Sequence, residues 1–438
     1  MGNTLTLKHT SKKVVFVVFL FVILLLLQLI SNMKPEVKLG MATWNLWGNV
    51  TFDANLNQAQ PYSQGSIPNS TTDGLKNILI WNNPERLETA IFGLGHEPFI
   101  KHQCEISECA VYDKKISNRP FAEYDAIIVH MLFLELHNLP NFERINKQQR
   151  FIFFTQEPPP MMPIQISSIE NFFNWTMSYK LDSDIQLLYG RITPGPSAPR
   201  TNRELKKFIK ETSLPLAKNY SVIKIRPVVW MASHCSTDSS RETYVQELGR
   251  FIQVDVYGKC GNLSCHRDDQ TWISDPQCYI TLQKKYKFYL SFENSICNDY
   301  VTEKFFEIMN HDMVPVVYGG ANYSKIAPPH SFINALEYTP QKLAQYLQML
   351  HENDTLYNEY FWWKSHYNVE VGWEQMARHG FCDLCKKLHK DELIDKYYPE
   401  LVSEWHPNTQ CRRLISWVPV KSTTLIFRFY SWLSSLLF

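Results

Sequence analysis

Short apolar runs set the strongest limit on what this chain can fold into. NILIWN (77–82), YDAIIVH (124–130) and RFIFFTQE (150–157) lie in its first half. VIKIRPVVWMAS (222–233), QVDVYG (253–258), KFYLSFEN (287–294) and MVPVVYGG (313–320) lie in its second. Most are too short for an ordinary helix, and all are rich in β-branched or aromatic residues, so each reads as a strand. Runs that are apolar on both faces belong to parallel sheets covered by helices on both sides. SRETYVQELGRFI (240–252) supplies one such helix, with Tyr244, Val245, Leu248, Phe251 and Ile252 at helical spacing. PGPSAP (194–199) breaks the chain between the two sets and starts a linker. The pattern predicts an α/β protein of two Rossmann-like halves facing a cleft, over residues 74–200 and 220–390, with a C-terminal extension at 391–438. The apolar end of that extension, STTLIFRFYSWLSSLLF, suits packing on the fold better than membrane contact.

Ahead of these halves, residues 14–30 read VVFVVFLFVILLLLQLI, with Gln28 as their one polar side chain. The length is at the lower limit for a bilayer span. Lys8, Lys12 and Lys13 precede it, which places a tail at 1–13 in the cytosol and the bulk of the chain in a lumen. No small-residue cleavage pattern follows Ile30, so a retained signal-anchor is expected rather than a cleaved signal peptide. Residues 31–73, rich in Asn, Gln, Thr, Ser and Pro, read as a stem. Sequons at Asn49, Asn69, Asn174, Asn219, Asn262, Asn322 and Asn353 agree with a lumenal address. So do ten cysteines, which suit disulfides in an oxidising compartment. A formal net charge of +1 argues against a nucleic-acid binder that relies on phosphate attraction.

The densest cluster of chemistry-bearing residues is FYLSFENSICNDYVTEKFF (288–306). It begins as a strand and ends as a helix. Thr302 can cap that helix, and the free amides of its first turn favour an anion. Lys304 adds a full positive charge, Asn294 and Tyr300 offer neutral hydrogen-bond groups, and Glu303 can accept hydroxyl protons. The carboxyl end of a strand is where α/β sheets hold nucleotides. A capped helix with a solvated charge face would carry the same residues.

This passage resembles the signature of the α1,3/4-fucosyltransferase family, which transfers fucose from GDP-fucose. QEPPP (156–160), YKLDSDIQLLYG (179–190) and WMASHCSTDSSR (230–241) are similar to further family blocks. VDVYGKCGNLSC (254–265) is similar to the invertebrate and plant members that modify the innermost GlcNAc of N-glycans. The resemblance implies a GT-B fold, a Golgi type II membrane protein and inversion at the fucose anomeric carbon. Direct displacement needs a base for the acceptor hydroxyl, and the matching position is Glu157. Arg241 and Lys304 match the cations that meet the departing diphosphate, and Asn294, Tyr300 and Glu303 match other donor contacts. Lys180 stands where the family has arginine, which loses the bidentate fork. Relatives link Cys382 and Cys385 to two cysteines of the first domain, here Cys104 and Cys109. The pairing of Cys235, Cys260, Cys265, Cys278, Cys297 and Cys411 is not legible from sequence.

Two motifs suggest metals. Asp182-Ser183-Asp184 is a D-x-D, which in another glycosyltransferase fold holds Mg²⁺ or Mn²⁺. Here a structural or acceptor-side role is expected, with no obligatory cofactor, and stimulation by Mn²⁺ or Mg²⁺ is left open. Cys382 and Cys385 with His379 and His389 could suggest zinc, but a second C-x-x-C is missing. The expected function is α1,3-fucosyl transfer to GlcNAc of an N-glycan or glycoprotein, the core GlcNAc first. Antennal Lewis-type or LacdiNAc acceptors, or a protein hydroxyl, are alternatives that loops around His96, His130 and PPPMMP would decide. A non-catalytic lumenal lectin or chaperone is the rival from another class, and the complete donor set argues against it.

Overall fold

The computed structural model describes residues 74–412, apart from 83–86, 133, 135–138, 140–147, 163–168, 170, 200, 212–217, 266–275, 392–396 and 399–400. These residues all lie in one compact unit, Thr72–Phe438. The first half builds a sheet from β1 (Lys76–Ile80), β2 (Cys109–Asp113), β3 (Ala126–His130), β4 (Arg150–Thr155), β5 (Trp175–Ser178) and β6 (Ile185–Gln186). Their order is β2-β1-β3-β4-β5-β6, and every pairing is parallel. β7 (Gly190–Pro194) then leaves this sheet. The second half builds β8 (Arg226–Met231), β9 (Val254–Tyr257), β10 (Tyr286–Phe292), β11 (Val314–Tyr318) and β12 (Ile333–Asn334) in the order β12-β11-β10-β8-β9. All of these pairings are parallel too.

The expected α/β architecture follows from burial on both faces. Every residue of β3, β4, β10 and β11 is buried, which is why these strands read as continuous apolar runs. β2, β5, β6 and β12 are additions to the expected set, because they are short or mixed in polarity and give no period of their own.

The helices around these sheets include α1 (Leu87–Phe92), α2 (Arg241–Leu248), α3 (Glu303–Asn310), α4 (Pro340–Glu352) and α5 (Trp373–His389). α5 returns to the first half. Phe381 stacks on Phe92 of α1 with ring centroids 4.6 Å apart. Cys104–Cys382 and Cys109–Cys385 bond the same helix to the first half; the resemblance implied a link among these four, and the structure gives the individual bonds. All ten cysteines are paired, the others as Cys235–Cys260, Cys265–Cys278 and Cys297–Cys411. The halves also meet through α3. A Cβ on Gly190 would lie 2.3 Å from Cγ of Phe306, so only glycine lets β7 pass this close to α3. β7 pairs antiparallel with β13 (Tyr367–Val371), and Gly195 N donates to His366 O at 2.7 Å. The start of PGPSAP is thus pinned to the second half rather than running free.

One expected glycosylation site is overturned. Asn174 is fully buried, and its Oδ1 accepts from the backbone N–H of Phe151 at 2.9 Å. A glycan there would displace a core strand. Asn219, Asn262, Asn322 and Asn353 are exposed, while Asn49 and Asn69 lie outside the described residues. The apolar run 14–30, the stem and the chain end 413–438 lie outside them as well. Among the described residues no helix is long and apolar enough to cross a membrane.

Candidate active site

In the second sheet the chain passes from β8 to β9 on one side and then crosses back to β10 on the other side of β8. Such a reversal opens a crevice at the carboxyl ends of the two central strands. The FEN…DYVTEK passage occupies that crevice. It leaves β10 at Phe292, loops, and enters α3 at Glu303. The loop is closed by its own ends. Glu293, fully buried, accepts from Thr302 N–H on Oε1 and from the Thr302 hydroxyl on Oε2, both at 2.8 Å. Thr302 caps α3, as expected, by accepting from Lys304 N–H. Cys297–Cys411 and a close approach at Gly320 hold the loop from outside. A Cβ on Gly320 would lie 2.5 Å from Cys297 O.

Lys304 is the centre of charge in this loop. Its Nζ lies 3.0 Å from Glu303 Oε1, 3.7 Å from Glu293 Oε2 and 2.9 Å from Thr302 Oγ1. Burial pushes the Glu293 carboxyl up, and Lys304 and the Thr302 bonds pull against that rise. Desolvation in the crowded loop also acts on Lys304 and on Glu303, whose side chain is half exposed, but their mutual attraction prevails. It holds the Glu303 carboxyl below, and the Lys304 ammonium above, its ordinary value. Glu293 had no assigned role from sequence. Its signal was an acid ending an otherwise apolar strand, nine residues before a helix cap.

Arg241 opens α2 and is buried against the same loop. Its guanidinium donates to Phe292 O at 2.5 Å and to His234 O at 3.1 Å, so it clamps the end of β10 to the β8–α2 turn. Burial lowers its pKa, and Glu293 is the main opposing charge. Its Nε and the Oδ1 of Asn294 are both buried without a hydrogen-bond partner among the described residues. A donor and an acceptor left unmatched at a strand end are suited to a polar ligand.

The first sheet brings Glu157 to this loop. Glu157 follows β4, half-buried, with its backbone N–H bonded to Thr155 Oγ1. Tyr300 OH lies 3.5 Å from Glu157 Oε2, across 143 residues of sequence. Burial, then the Glu157 charge, raises the Tyr300 pKa, so the phenol stays a neutral donor. Tyr179 and Tyr189 pack edge-on against the Tyr300 ring, and Tyr189 OH donates to Gln156 O at 3.0 Å. Glu157, Asn294, Tyr300, Glu303, Lys304 and Arg241 therefore line one region.

The D-x-D lies beside it in a structural role. Asp184 Oδ2 accepts from Thr176 N–H at 3.0 Å and from Tyr398 OH at 2.6 Å, and Oδ1 faces Lys387 at 3.6 Å. Asp182 is exposed and pairs with Lys180 at 3.3 Å. Leu181 N–H reaches Asp299 Oδ2 at 3.3 Å, tying this block to the Tyr300 loop. The cysteines of the suspected zinc group are in disulfides. His389 bonds Glu108 O at 2.7 Å, and His379 bonds Glu370 at 2.8 Å.

Comparison with known proteins adds to this geometry. A profile described as "Fucosyltransferase, N-terminal" matches residues 73–190, and "Glycosyltransferase family 10 (fucosyltransferase) C-term" matches residues 222–405. Alpha-(1,3)-fucosyltransferase C of Drosophila melanogaster is 37% identical over 313 residues, which cover 68% of this chain and 70% of that one. The chain belongs to glycosyltransferase family 10, the fucosyltransferases. Glycoprotein 3-alpha-L-fucosyltransferase A of the same fly is 31% identical, over 77% of this chain and 61% of its own length. A crystal structure of an alpha1,3-fucosyltransferase with GDP-fucose covers 74% of this chain and 92% of that chain. Its TM-score is 0.43 and its identity 14%, too distant to place a ligand here. Between the two matched segments of this fucosyltransferase, residues 190–222, the described residues include β7 and a helix at Asn202–Glu211.

Proposed function

We propose that this family member is an inverting α1,3-fucosyltransferase of GT-B architecture. It uses GDP-fucose and acts on the 3-hydroxyl of GlcNAc in N-glycans, the core GlcNAc first. The observation that carries the reading is the approach of Glu157, from the first sheet, to Tyr300, in the loop that also holds Asn294, Glu303 and Lys304. A base and a cation-bearing nucleotide loop then face one crevice. The acceptor oxygen attacks the anomeric carbon, its proton passes to the Glu157 carboxylate, and the bond to the diphosphate breaks. Lys304 and the amides at the start of α3 take up charge on the departing GDP. Arg241, held behind the loop, adds positive potential and keeps β10 and α2 in register. Asn294, Tyr300 and Glu303 position the donor.

The core acceptor rests on VDVYGKCGNLSC, and the name of the second fly relative supports a glycoprotein acceptor. A Golgi type II topology rests on the apolar run 14–30 and its lysines, five disulfides and the four exposed sequons. The test supplies GDP-fucose and a mixed N-glycan panel to the protein, with and without EDTA, and reads products by fragmentation mass spectrometry. Fucose on the reducing-end GlcNAc is expected. Fucose on an antenna would move the acceptor, and no transfer to any glycan would reject the reading.

A further inference from the structure

Away from the active site, α4 carries an exposed face with no partner among the described residues. Leu343, Ala344, Leu347 and Leu350 bury its inner side. Gln341, Gln345, Gln348, Met349 and Glu352 recur at helical spacing along the outer side. Phe251, just past the end of α2, stands beside them. Phe251 is 51% and Met349 43% exposed, among the larger apolar side chains left in water. Together with Ala344 these residues line an open groove of about 670 Å³, and the remaining lining residue is Asn353. Asn353-Asp354-Thr355 is an exposed sequon.

We propose that an N-glycan on Asn353 lies back along this groove, with a sugar face seated on Phe251 and Met349. Three observations support it. Asn353 follows the last residue of α4, so its side chain stands at the end of the outer stripe. Its Oδ1 is already fixed, accepting from Leu356 N–H at 3.1 Å as the cap of the next helix. N-glycosylation uses Nδ2, so the modification and the cap are compatible, and the cap holds the attachment atom in place. The groove also has the chemistry that binds carbohydrate. An aromatic ring and a thioether offer an apolar platform for sugar C–H groups, and the glutamines offer amides to hydroxyl and N-acetyl groups. Of these amides, Gln348 Nε2 is engaged with Glu352 Oε1 at 2.6 Å. The other exposed sequons, Asn219, Asn262 and Asn322, are not among the residues lining this groove.

The inference rests on the proposed lumenal address. The full chain is therefore expressed in a eukaryotic secretory host, and fucosyl transfer is assayed in the same preparation as a separate readout of that address and function. Glycopeptide mass spectrometry should find Asn353 occupied, and an unmodified Asn353 in active enzyme overturns the proposal. Thr355→Ala removes the glycan and leaves Asn353 and its cap intact. It should raise the binding of a hydrophobic dye and lower the melting temperature by about 2–4 °C, with transfer unchanged. Adding Phe251→Ser should abolish the gain in dye binding, because the uncovered ring is its source. If dye binding and melting are the same with and without the glycan, the sugar does not cover the groove and the proposal is wrong.

Discussion

Replacing Lys304 by alanine tests the diphosphate site most directly. In the free enzyme Lys304 is shared between Glu303 at 3.0 Å and Glu293 at 3.7 Å. The substitution removes a charge-assisted donor to the phosphates, which costs about 1.5–3 kcal/mol. It also leaves two carboxylates facing an anion, a repulsion of the same sign. A loss of about 3 kcal/mol, the upper end of the hydrogen-bond range before that repulsion is added, corresponds to roughly a 150-fold rise in the Kd for GDP. The loss should depend on pH with a definite sign. Burial already pushes the Glu293 carboxyl up, and Lys304 holds it back. Without Lys304 it protonates more readily, so the repulsion fades as pH falls. Calorimetric titration of GDP into both proteins, over a pH series from neutrality downward, gives the ratio of their dissociation constants. That ratio should shrink toward acid pH, with thermal melts confirming that the variant is folded. Lys304→Gln, which keeps a neutral hydrogen-bond donor on a side chain one atom shorter, should lose less affinity. An unchanged Kd would show that Lys304 does not meet the diphosphate. A ratio that is flat with pH would show that Glu293 does not share its charge.

Glu157→Gln should keep GDP affinity and lose transfer, measured by calorimetry and by product mass spectrometry; retained transfer would remove Glu157 as base. The two disulfides on α5 close nearly the same loop, spanning 278 and 276 residues. Either one alone supplies most of the loop-closure entropy, so removing both pairs should cost about 2–5 kcal/mol and removing one far less. Equal, additive losses in denaturant titrations would contradict this. Lys224 is buried, donating to the Asp312 carbonyl, and burial, aided by Lys364, Lys218 and Lys287 and opposed by the Asp312 charge, lowers its pKa from 10.5 to about 7. The folded state therefore holds this proton less tightly than the unfolded chain, so stability rises with pH between about 7 and 10.5. Lys224→Met should raise the melting temperature most at pH 6, with the gain shrinking toward pH 9. A gain independent of pH would assign the effect to packing instead.

The sequence by itself determined the fold class and marked out the polar loop after β10. RFIFFT and KFYLSF are buried on every residue and apolar on most, because parallel strands are covered on both faces, and that pattern survives in one dimension. The loop was legible because Thr302, Glu303 and Lys304 act within one helical turn, over distances that the chain sets locally. Asn174 was misread because a sequon records three neighbouring residues and nothing of burial. Three features were decided by tertiary structure alone. Glu293 closes the loop on Thr302 only when strand and helix fold back together. Tyr300 reaches Glu157 only when the two sheets dock. Cys235–Cys260, Cys265–Cys278 and Cys297–Cys411 require positions in space. Each depends on how separate elements fold back on one another, across nine residues for Glu293 and Thr302 and 143 for Tyr300 and Glu157, and the composition and period of a single segment do not encode such placements.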